Sequence, residues 1–225
     1  MVTVHYFFDP MCGWCYGASP LIEALMDTSQ FKVELHPGGM IEKRAIESEF
    51  RQHIINSDAR IATETGATFG EAYLQRVKSE DAFVLDSYLP TQAILSAEKM
   101  GLNPWHMLKA IQSAHYQLGL KVNEASTLKA IAESLGLAND VWEQNMTLSE
   151  ADLDEKIRSS RQLMRQLHVG GYPTLIAEVN GEYLTLPHSA YYDKPAQWKL
   201  AKTAISSSPL ALVLNPRASA NVVIN

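Results

Sequence analysis

Two cysteines, Cys12 and Cys15, are the side chains of this sequence best suited to chemistry, and they are the only cysteines among its 225 residues. They follow an apolar segment, VTVHYFF, that is typical of a β-strand. A cysteine in the first turn of the next helix faces free backbone N–H groups and the positive end of the helix dipole, which favour the thiolate. Cys15 lies three residues further on, on the same side of that turn. The spacing predicts that Cys12 attacks a disulfide and that Cys15 resolves the mixed disulfide.

A zinc site is the main alternative for a C-x-x-C motif. Such sites use a second pair of ligands, and the sequence contains no further cysteine. His5 and His36 fall on neighbouring predicted strands and could lie near the cysteines, but they do not have the usual ligand spacing to each other. We therefore predict no metal site and no cofactor, and we favour redox chemistry.

Three side chains near the cysteine pair have two interpretations each. Trp14 either anchors the loop or presents a flat apolar face to a partner, and the two are equally plausible. Asp9 could carry a proton for Cys15, although capping of the helix start is the favoured role. His115 falls in a predicted helix; it could favour a thiolate if the helix lay near the cysteines, but a histidine on an apolar helix face is more often a core residue.

The elements that must position the cysteines form a strand, a helix and a second strand. The first strand covers residues 2–8, and FKVELHP at 31–37 alternates apolar and polar residues as a half-buried strand does. Between them, apolar residues at helical spacing predict a helix over 13–28, which Pro20 should kink or restart. The right-handed crossover rule predicts that the two strands are parallel.

A long helical segment follows, from about residue 42 to 168. Asn103 followed by proline predicts a helix start, and Ser149 with Asp152 resembles a capping box for a helix that ends near Gln166. Glycines are placed where helices should stop, and we expect this block to have a core of its own. These glycines are Gly101, Gly119 and Gly136.

Strand patterns return after the helical block. The segments 174–179 and 182–186 flank an Asn-Gly dipeptide and predict a hairpin, and a helix should follow over 194–206. The tail has no clear pattern. The sequence thus predicts four segments, the first and third belonging to one α/β domain, with the second inserted between them. They are residues 1–41, 42–168, 169–206 and the tail 207–225.

Composition excludes several classes of protein. The sequence is 46% hydrophobic and 20% charged, which is typical of a globular protein, and its formal charge of −6 is not patterned for nucleic acid. No segment reaches the roughly 20 apolar residues that a membrane helix needs. The N-terminal segment lacks the features of a secretory signal peptide, and two cysteines are too few for a disulfide-rich secreted scaffold. We therefore expect a cytoplasmic protein that binds neither nucleic acid nor a membrane.

The sequence resembles the DsbA-like group of the thioredoxin superfamily. The resemblance rests on the segments FDPMCGWC and GGYPTL and on the long helical block that separates them. Within this group the sequence is similar to the branch without a secretory leader, which includes FrnE-like proteins and predicted protein-disulfide isomerases. The resemblance extends to about residue 205. It implies an α/β, thioredoxin-like fold with a large all-helical insertion between the second strand and the cis-proline strand.

The resemblance also assigns residues around the cysteines. It implies that the Tyr172–Pro173 bond is cis and that this loop faces Cys12, with Pro173 as part of the catalytic site. The main chain of Tyr172 could then pair with an extended substrate. Thr174 is grouped with Trp14 and Tyr172 as substrate-binding, although a β-forming residue in a sheet is its simpler interpretation.

The predicted function is a thiol-disulfide oxidoreductase that reduces or isomerises protein or peptide disulfides, with glutathione or a thioredoxin-type protein as the reductant. The alternative is a glutathione-dependent enzyme of the kappa-class transferase or hydroxychromene-carboxylate isomerase type, whose members typically have serine in place of Cys12. A metal-binding or partner-binding module is a third possibility. The Gly-Trp dipeptide between the cysteines differs from Pro-His in the oxidising secreted members and Gly-Pro in thioredoxins. Tyr6 stands where those secreted members have a buried acid.

Overall fold

The computed structural model describes residues 1–207, and its strands and helices agree closely with the sequence pattern. Strand β1 spans Val2–Phe8, β2 Phe31–Pro37, β5 Thr174–Val179 and β6 Glu182–Thr185. Within the described range these strands form one sheet in the order β2-β1-β5-β6. β1 is parallel to β2 and antiparallel to β5, and β5 is antiparallel to β6. The predicted parallel pair and the Asn-Gly hairpin are confirmed.

The opening helix is broken where proline predicts a break. Helix α1 spans Gly13–Gly17, and α2 begins again at Ser19–Met26 with Pro20 in its first turn. Proline is tolerated there because the N–H groups of a first helical turn have no acceptor within the helix, so the N–H that proline lacks is not needed. Helix α9, Pro195–Ser207, packs against α2, and the indole of Trp198 donates a hydrogen bond to the Leu21 carbonyl over 2.9 Å. These contacts fix the helix that follows the cysteines.

The insertion between β2 and β5 is mainly helical. Asn103 accepts a hydrogen bond from the Trp105 amide, as predicted for a helix start. All three predicted glycine stops have positive φ, from +66° to +86°, as residues that end helices do. The helices of the insertion are α3 (Ser48–Thr65), α4 (Glu71–Lys78), α5 (Tyr88–Lys99), α6 (Pro104–Tyr116), α7 (Ala125–Ser134) and α8 (Asn139–Gln166).

Three features of the insertion differ from the sequence predictions. It is not entirely helical, because β3 (Arg44–Ala45) and β4 (Val84–Leu85) form a short antiparallel ribbon. The capping-box prediction is wrong, because Ser149 lies buried within the continuous helix α8. The main apolar cluster also joins the insertion to the sheet, and the insertion has only a small cluster of its own, formed by Leu95, Leu153 and Ile157.

The shared core lies on one face of β1. Val4, Tyr6 and Phe8 are fully buried there, and the Tyr6 ring meets Trp105 of α6 edge to face, with ring centroids 6.3 Å apart. On the opposite face, Phe7 packs with Met164 of α8. Because β1 is buried on both faces, the turn that follows it is held rigidly.

No described helix is long and apolar enough to cross a membrane. Residues 208–225, most of the predicted tail, lie outside the described part of the chain.

Candidate active site

The two cysteines lie in contact at the start of α1, as the spacing predicts. Cys12 is the N-cap residue, and its Sγ accepts a hydrogen bond from the Cys15 amide over 3.3 Å. Both cysteines are free thiols. Cys12 is 7% exposed and Cys15 is fully buried. Cys12 also borders a cavity that Cys15 does not line, so of the two residues only Cys12 is open to a ligand.

Cys15 is held as a thiol by its surroundings. Burial raises its pKa well above the ordinary value, and the hydrogen bond and charge of Cys12 raise it further. Its carbonyl accepts hydrogen bonds from the hydroxyls of Tyr6 and Ser19, over 3.4 and 3.3 Å, which join it to β1 and α2. Cys15 must therefore lose a proton before it can attack a sulfur.

The loop before β5 faces the first sulfur, as the resemblance implies. The Tyr172–Pro173 bond is cis, and the Cys12 thiol donates to the Tyr172 carbonyl over 3.7 Å. The Thr174 hydroxyl donates to the Gly171 carbonyl over 2.8 Å, which favours a local structural role for this side chain. The structure thus brings Cys12, Cys15 and the main chain of Tyr172 together.

A second loop, Gly38–Gly39 after β2, supports the ring of Tyr172 and was not identified as functional from the sequence. A Cβ atom on Gly38 would lie 2.0 Å from the Tyr172 hydroxyl oxygen, so this position has no room for a side chain. Arg161 of α8 donates to the carbonyls of Gly38 and Gly39 over 2.8 and 2.6 Å. The sequence signal for this contact is the HPGGM segment, in which two adjacent glycines follow the end of a strand.

Asp9 does not cap α1, because Cys12 occupies that position. Its buried carboxylate instead accepts hydrogen bonds from the amides of Met11 and Met40, over 2.9 and 2.6 Å, and from the Ser87 hydroxyl over 2.7 Å. Burial raises the pKa of Asp9 to about 6, and these hydrogen bonds partly oppose the increase. The Asp9 charge also raises the pKa of Cys15, so the two groups interact electrostatically.

Trp14 is partly buried between residues of two other segments. Its ring stacks on Tyr192 at an angle of 22°, with centroids 5.8 Å apart, and the Arg60 guanidinium carbon lies 5.3 Å from its centroid. These contacts support the anchoring interpretation. The remaining exposed part of the ring borders the same cavity as Cys12.

A cavity of about 300 Å³ opens beside Cys12, and the helical insertion supplies most of its wall. The Tyr73 hydroxyl donates to the Asp58 carboxylate over 2.7 Å at this wall, and burial raises the pKa of Asp58 to about 6. His115 also lines the cavity, but burial lowers its pKa to about 3, so its ring is neutral and supplies no positive charge for a thiolate. The remaining wall residues include Met40, Phe50, Ile61 and Tyr116.

A family model for the DSBA-like thioredoxin domain matches residues 3–194, and the chain therefore belongs to this family. The protein is a disulfide oxidoreductase of the DsbA-like class, and the predicted thioredoxin-like fold is confirmed. It is similar to the cytosolic disulfide reductase DsbM from Pseudomonas aeruginosa, with 35% identity and a TM-score of 0.84 over 93% of this chain and 99% of that one.

Two further solved structures are similar to this chain. DsbM from Pseudomonas aeruginosa with GSH matches with 34% identity and a TM-score of 0.82, over 90% of this chain and 98% of that one. A 2-hydroxychromene-2-carboxylate isomerase shares the fold, with 12% identity and a TM-score of 0.54 over 97% of this chain and 99% of that one. A search of curated proteins found no sequence match.

Proposed function

We propose that the protein is a cytoplasmic disulfide reductase that uses the Cys12-Gly13-Trp14-Cys15 dithiol and receives its electrons from glutathione. The observation that carries this proposal is the asymmetry of the two thiols, since Cys12 borders the cavity and Cys15 beside it is fully buried. A nucleophile must meet a large substrate, whereas a resolving thiol needs to meet only its neighbour.

The first step is attack by the Cys12 thiolate on a substrate disulfide. One substrate sulfur leaves as a thiolate, and the other is bonded to Cys12 as a mixed disulfide. The Cys15 amide, which already donates to Cys12 Sγ, stabilises the negative charge on that sulfur before the attack. The carbonyl of Tyr172 borders the attack site and can accept a backbone hydrogen bond from an extended peptide.

The second step is attack by Cys15 on the mixed disulfide. Cys15 gives up its proton, forms a bond to Cys12 Sγ and expels the second substrate thiolate, so two electrons pass to the substrate. Asp9 is the proton acceptor that we propose, because it is buried near Cys15 and is ionised above pH about 6. Two glutathione molecules then reduce the Cys12–Cys15 disulfide and leave as oxidised glutathione.

The cavity beside Cys12 supports glutathione as the partner. Its volume of about 300 Å³ is at the lower end of the roughly 300 to 1,000 Å³ typical of small-molecule sites. DsbM, which is 34% identical to this chain, has been solved with GSH. In a reducing cytoplasm the pair would be held as the dithiol, which favours reduction over net oxidation.

Exposed apolar side chains near the cavity support a polypeptide as the substrate. Met40 and Phe50 line the cavity and are 44% and 37% exposed. Trp14, Tyr172 and Pro173 complete the proposed substrate surface around the first sulfur. A peptide bound here would cover apolar area that is now in contact with water.

Glutathione-dependent reduction of insulin disulfides tests the proposal, with NADPH and glutathione reductase to report each turnover. We expect Cys12→Ser and Cys12→Ala to lose all activity and to keep the wild-type circular dichroism spectrum. Full activity in either variant would overturn the assignment. Glutathione conjugation or isomerisation that survives Cys15→Ser, without reduction of disulfides, would instead favour the transferase or isomerase alternative.

The distinction between a reductase and an isomerase is tested separately, with scrambled ribonuclease as the substrate. A reductase is expected to reduce scrambled ribonuclease without restoring its activity. Recovery of native ribonuclease at a rate that depends on Cys12 would show that the protein is an isomerase.

A further inference from the structure

A cluster of nitrogen and carboxylate ligands lies on the sheet, away from the cysteine cavity. His5 of β1 is paired in register with Glu34 of β2, and His36 lies two residues beyond Glu34 on the same face. Glu178 of β5 reaches His5 from the other side. A second cavity lies along β2 at this cluster. Among the described residues, none lines both this cavity and the cavity beside Cys12. The spacing along the sequence did not predict this group because its members come from three strands.

The distances within the cluster fit a single metal ion. His5 Nδ1 lies 3.0 Å from His36 Nε2 and 3.7 Å from Glu34 Oε2, and the ligand atoms of all three residues lie within 4.8 Å of one another. Two ligand atoms bound to zinc at tetrahedral angles lie about 3.4 Å apart. The observed separations bracket this value, so an ion would require only small side-chain movements.

Neighbouring charges orient two of the three ligands. Glu178 Oε2 lies 3.1 Å from His5 Nε2, which fixes the proton on Nε2 and directs the lone pair of Nδ1 toward the cluster. The Lys32 ammonium lies 2.6 Å from Glu34 Oε1 and leaves Oε2 facing His5. A carboxylate behind a histidine ligand is the outer arrangement that metal sites commonly have.

We propose that His5 Nδ1, Glu34 Oε2 and His36 Nε2 form a binding site for a divalent transition-metal ion such as Zn²⁺. With His5 protonated on Nε2, His36 Nε2 donates its proton to His5 Nδ1 in the absence of metal, so metal binding requires that His36 take its other tautomer, with the proton on Nδ1. Glu34 and His36 line a cavity of about 700 Å³ along the edge strand β2, which gives the ion a route from solvent. Three protein ligands leave a fourth position for water.

Besides Lys32, which is paired with Glu34, a second positive charge near the cluster opposes the ion. Lys156 of α8 lines the same cavity, and its charge acts on His36. Lys156→Gln should therefore bind the metal more tightly than the unmodified site. Metal affinity that rises when a cation is removed would show that the ion is bound at this cluster and not elsewhere on the surface.

The test is calorimetric titration of Zn²⁺ into the full chain with Cys12→Ser and Cys15→Ser, so that the thiols cannot contribute. We expect one zinc ion per chain. Glu34→Gln and His36→Gln should abolish binding, and Glu178→Gln should weaken it by about 10- to 100-fold. His106→Gln, a substitution of an exposed histidine on α6, is the matched control and should bind as the parent does.

Each variant is first checked for its circular dichroism spectrum and melting temperature, because His36 is partly buried. Co²⁺ provides a second measurement, since its visible absorption bands report the coordination geometry directly. Absence of zinc binding in the thiol-free chain would overturn the proposal. Equal affinity in His36→Gln and His106→Gln, with both variants folded, would do so as well.

Discussion

Among single residues, Asp9 is a buried carboxylate whose pKa suits the proton transfer that we propose for it. Asp9 is ionised only above pH about 6, because burial disfavours its charged form. Cys15, whose charge interacts with that of Asp9, must be deprotonated in the second step. A base whose pKa is near neutral pH is well matched to this transfer.

Asp9→Asn should therefore slow the release of glutathione from a preformed Cys12–glutathione mixed disulfide by roughly 10- to 100-fold at pH 7. In the wild type the rate should fall as the pH decreases through about 6, where Asp9 becomes protonated. In the variant this inflection should be absent, and high pH should restore the rate. Rapid quenching and mass spectrometry measure the release.

Ser87→Ala is the control for that experiment, since it removes a hydrogen bond to Asp9 and leaves its charge in place. It should lose some stability and keep an inflection in the rate profile. A wild-type pH profile in Asp9→Asn would exclude Asp9 as the proton acceptor.

Sequence spacing was sufficient to predict that Cys12 and Cys15 are in contact, because they lie three positions apart in one helical turn. It could not predict the environment of Asp9. The partners of this carboxylate, Met40 and Ser87, come from 31 and 78 residues further along the chain. Only the folded chain brings those groups together, so the sequence favoured the commoner capping role.

At the scale of elements, the loop after β2 determines where the Tyr172 ring lies. Gly38→Ala would place a methyl group 2.0 Å from the Tyr172 hydroxyl oxygen, so the ring must move. We expect a loss of roughly 1 to 3 kcal/mol in the free energy of unfolding, as is typical of overpacking. Reduction of a protein disulfide should also slow, because Tyr172 borders Cys12. Urea denaturation and the insulin assay measure the two effects.

Gly170→Ala is the matched control, because a Cβ atom at that position meets no atom within 4 Å. It should change stability by much less than Gly38→Ala does. Equal losses in the two variants would mean that the contact with Tyr172 does not explain the glycine at position 38.

Local sequence rules worked where one residue determines the backbone. Pro20 ended one helix and began another, and the Asn-Gly dipeptide formed the hairpin. Ser149 followed by Asp152 matched a capping pattern and failed, because burial of one face of α8 keeps the helix continuous through that point. Tertiary packing overrode a local signal that has a free energy of only about 1 kcal/mol.

At the scale of the whole molecule, the insertion and the sheet form one unit with a shared core. The sequence predicted a helical insertion over residues 42–168 with a core of its own. The apolar positions on each helix do not reveal which neighbour they contact, and α6 packs on β1 through Trp105. The same packing places α3, α4 and α6 around Cys12, so the insertion supplies most of the wall of the cavity beside this cysteine.

The insertion should consequently control which substrates are reduced. Phe50→Ala removes an exposed apolar ring of α3 at the cavity and should raise the KM for insulin by roughly fivefold, corresponding to about 1 kcal/mol of lost apolar contact. The KM for a small glutathionylated peptide should change less. Leu200→Ala, on the exposed surface of α9, is the control. An equal effect of Phe50→Ala on both substrates would contradict a polypeptide surface at this position.

In the mechanism that we propose, only Cys12 reacts with the substrate, and Cys15 reacts only with the mixed disulfide on Cys12. This mechanism is tested most directly by trapping the mixed disulfide with a protein substrate in Cys15→Ser and in Cys12→Ser, followed by peptide mass spectrometry. We expect a stable adduct on Cys12 in the first variant and none on Cys15 in the second. An adduct on Cys15 that forms as fast as the one on Cys12 would contradict the mechanism.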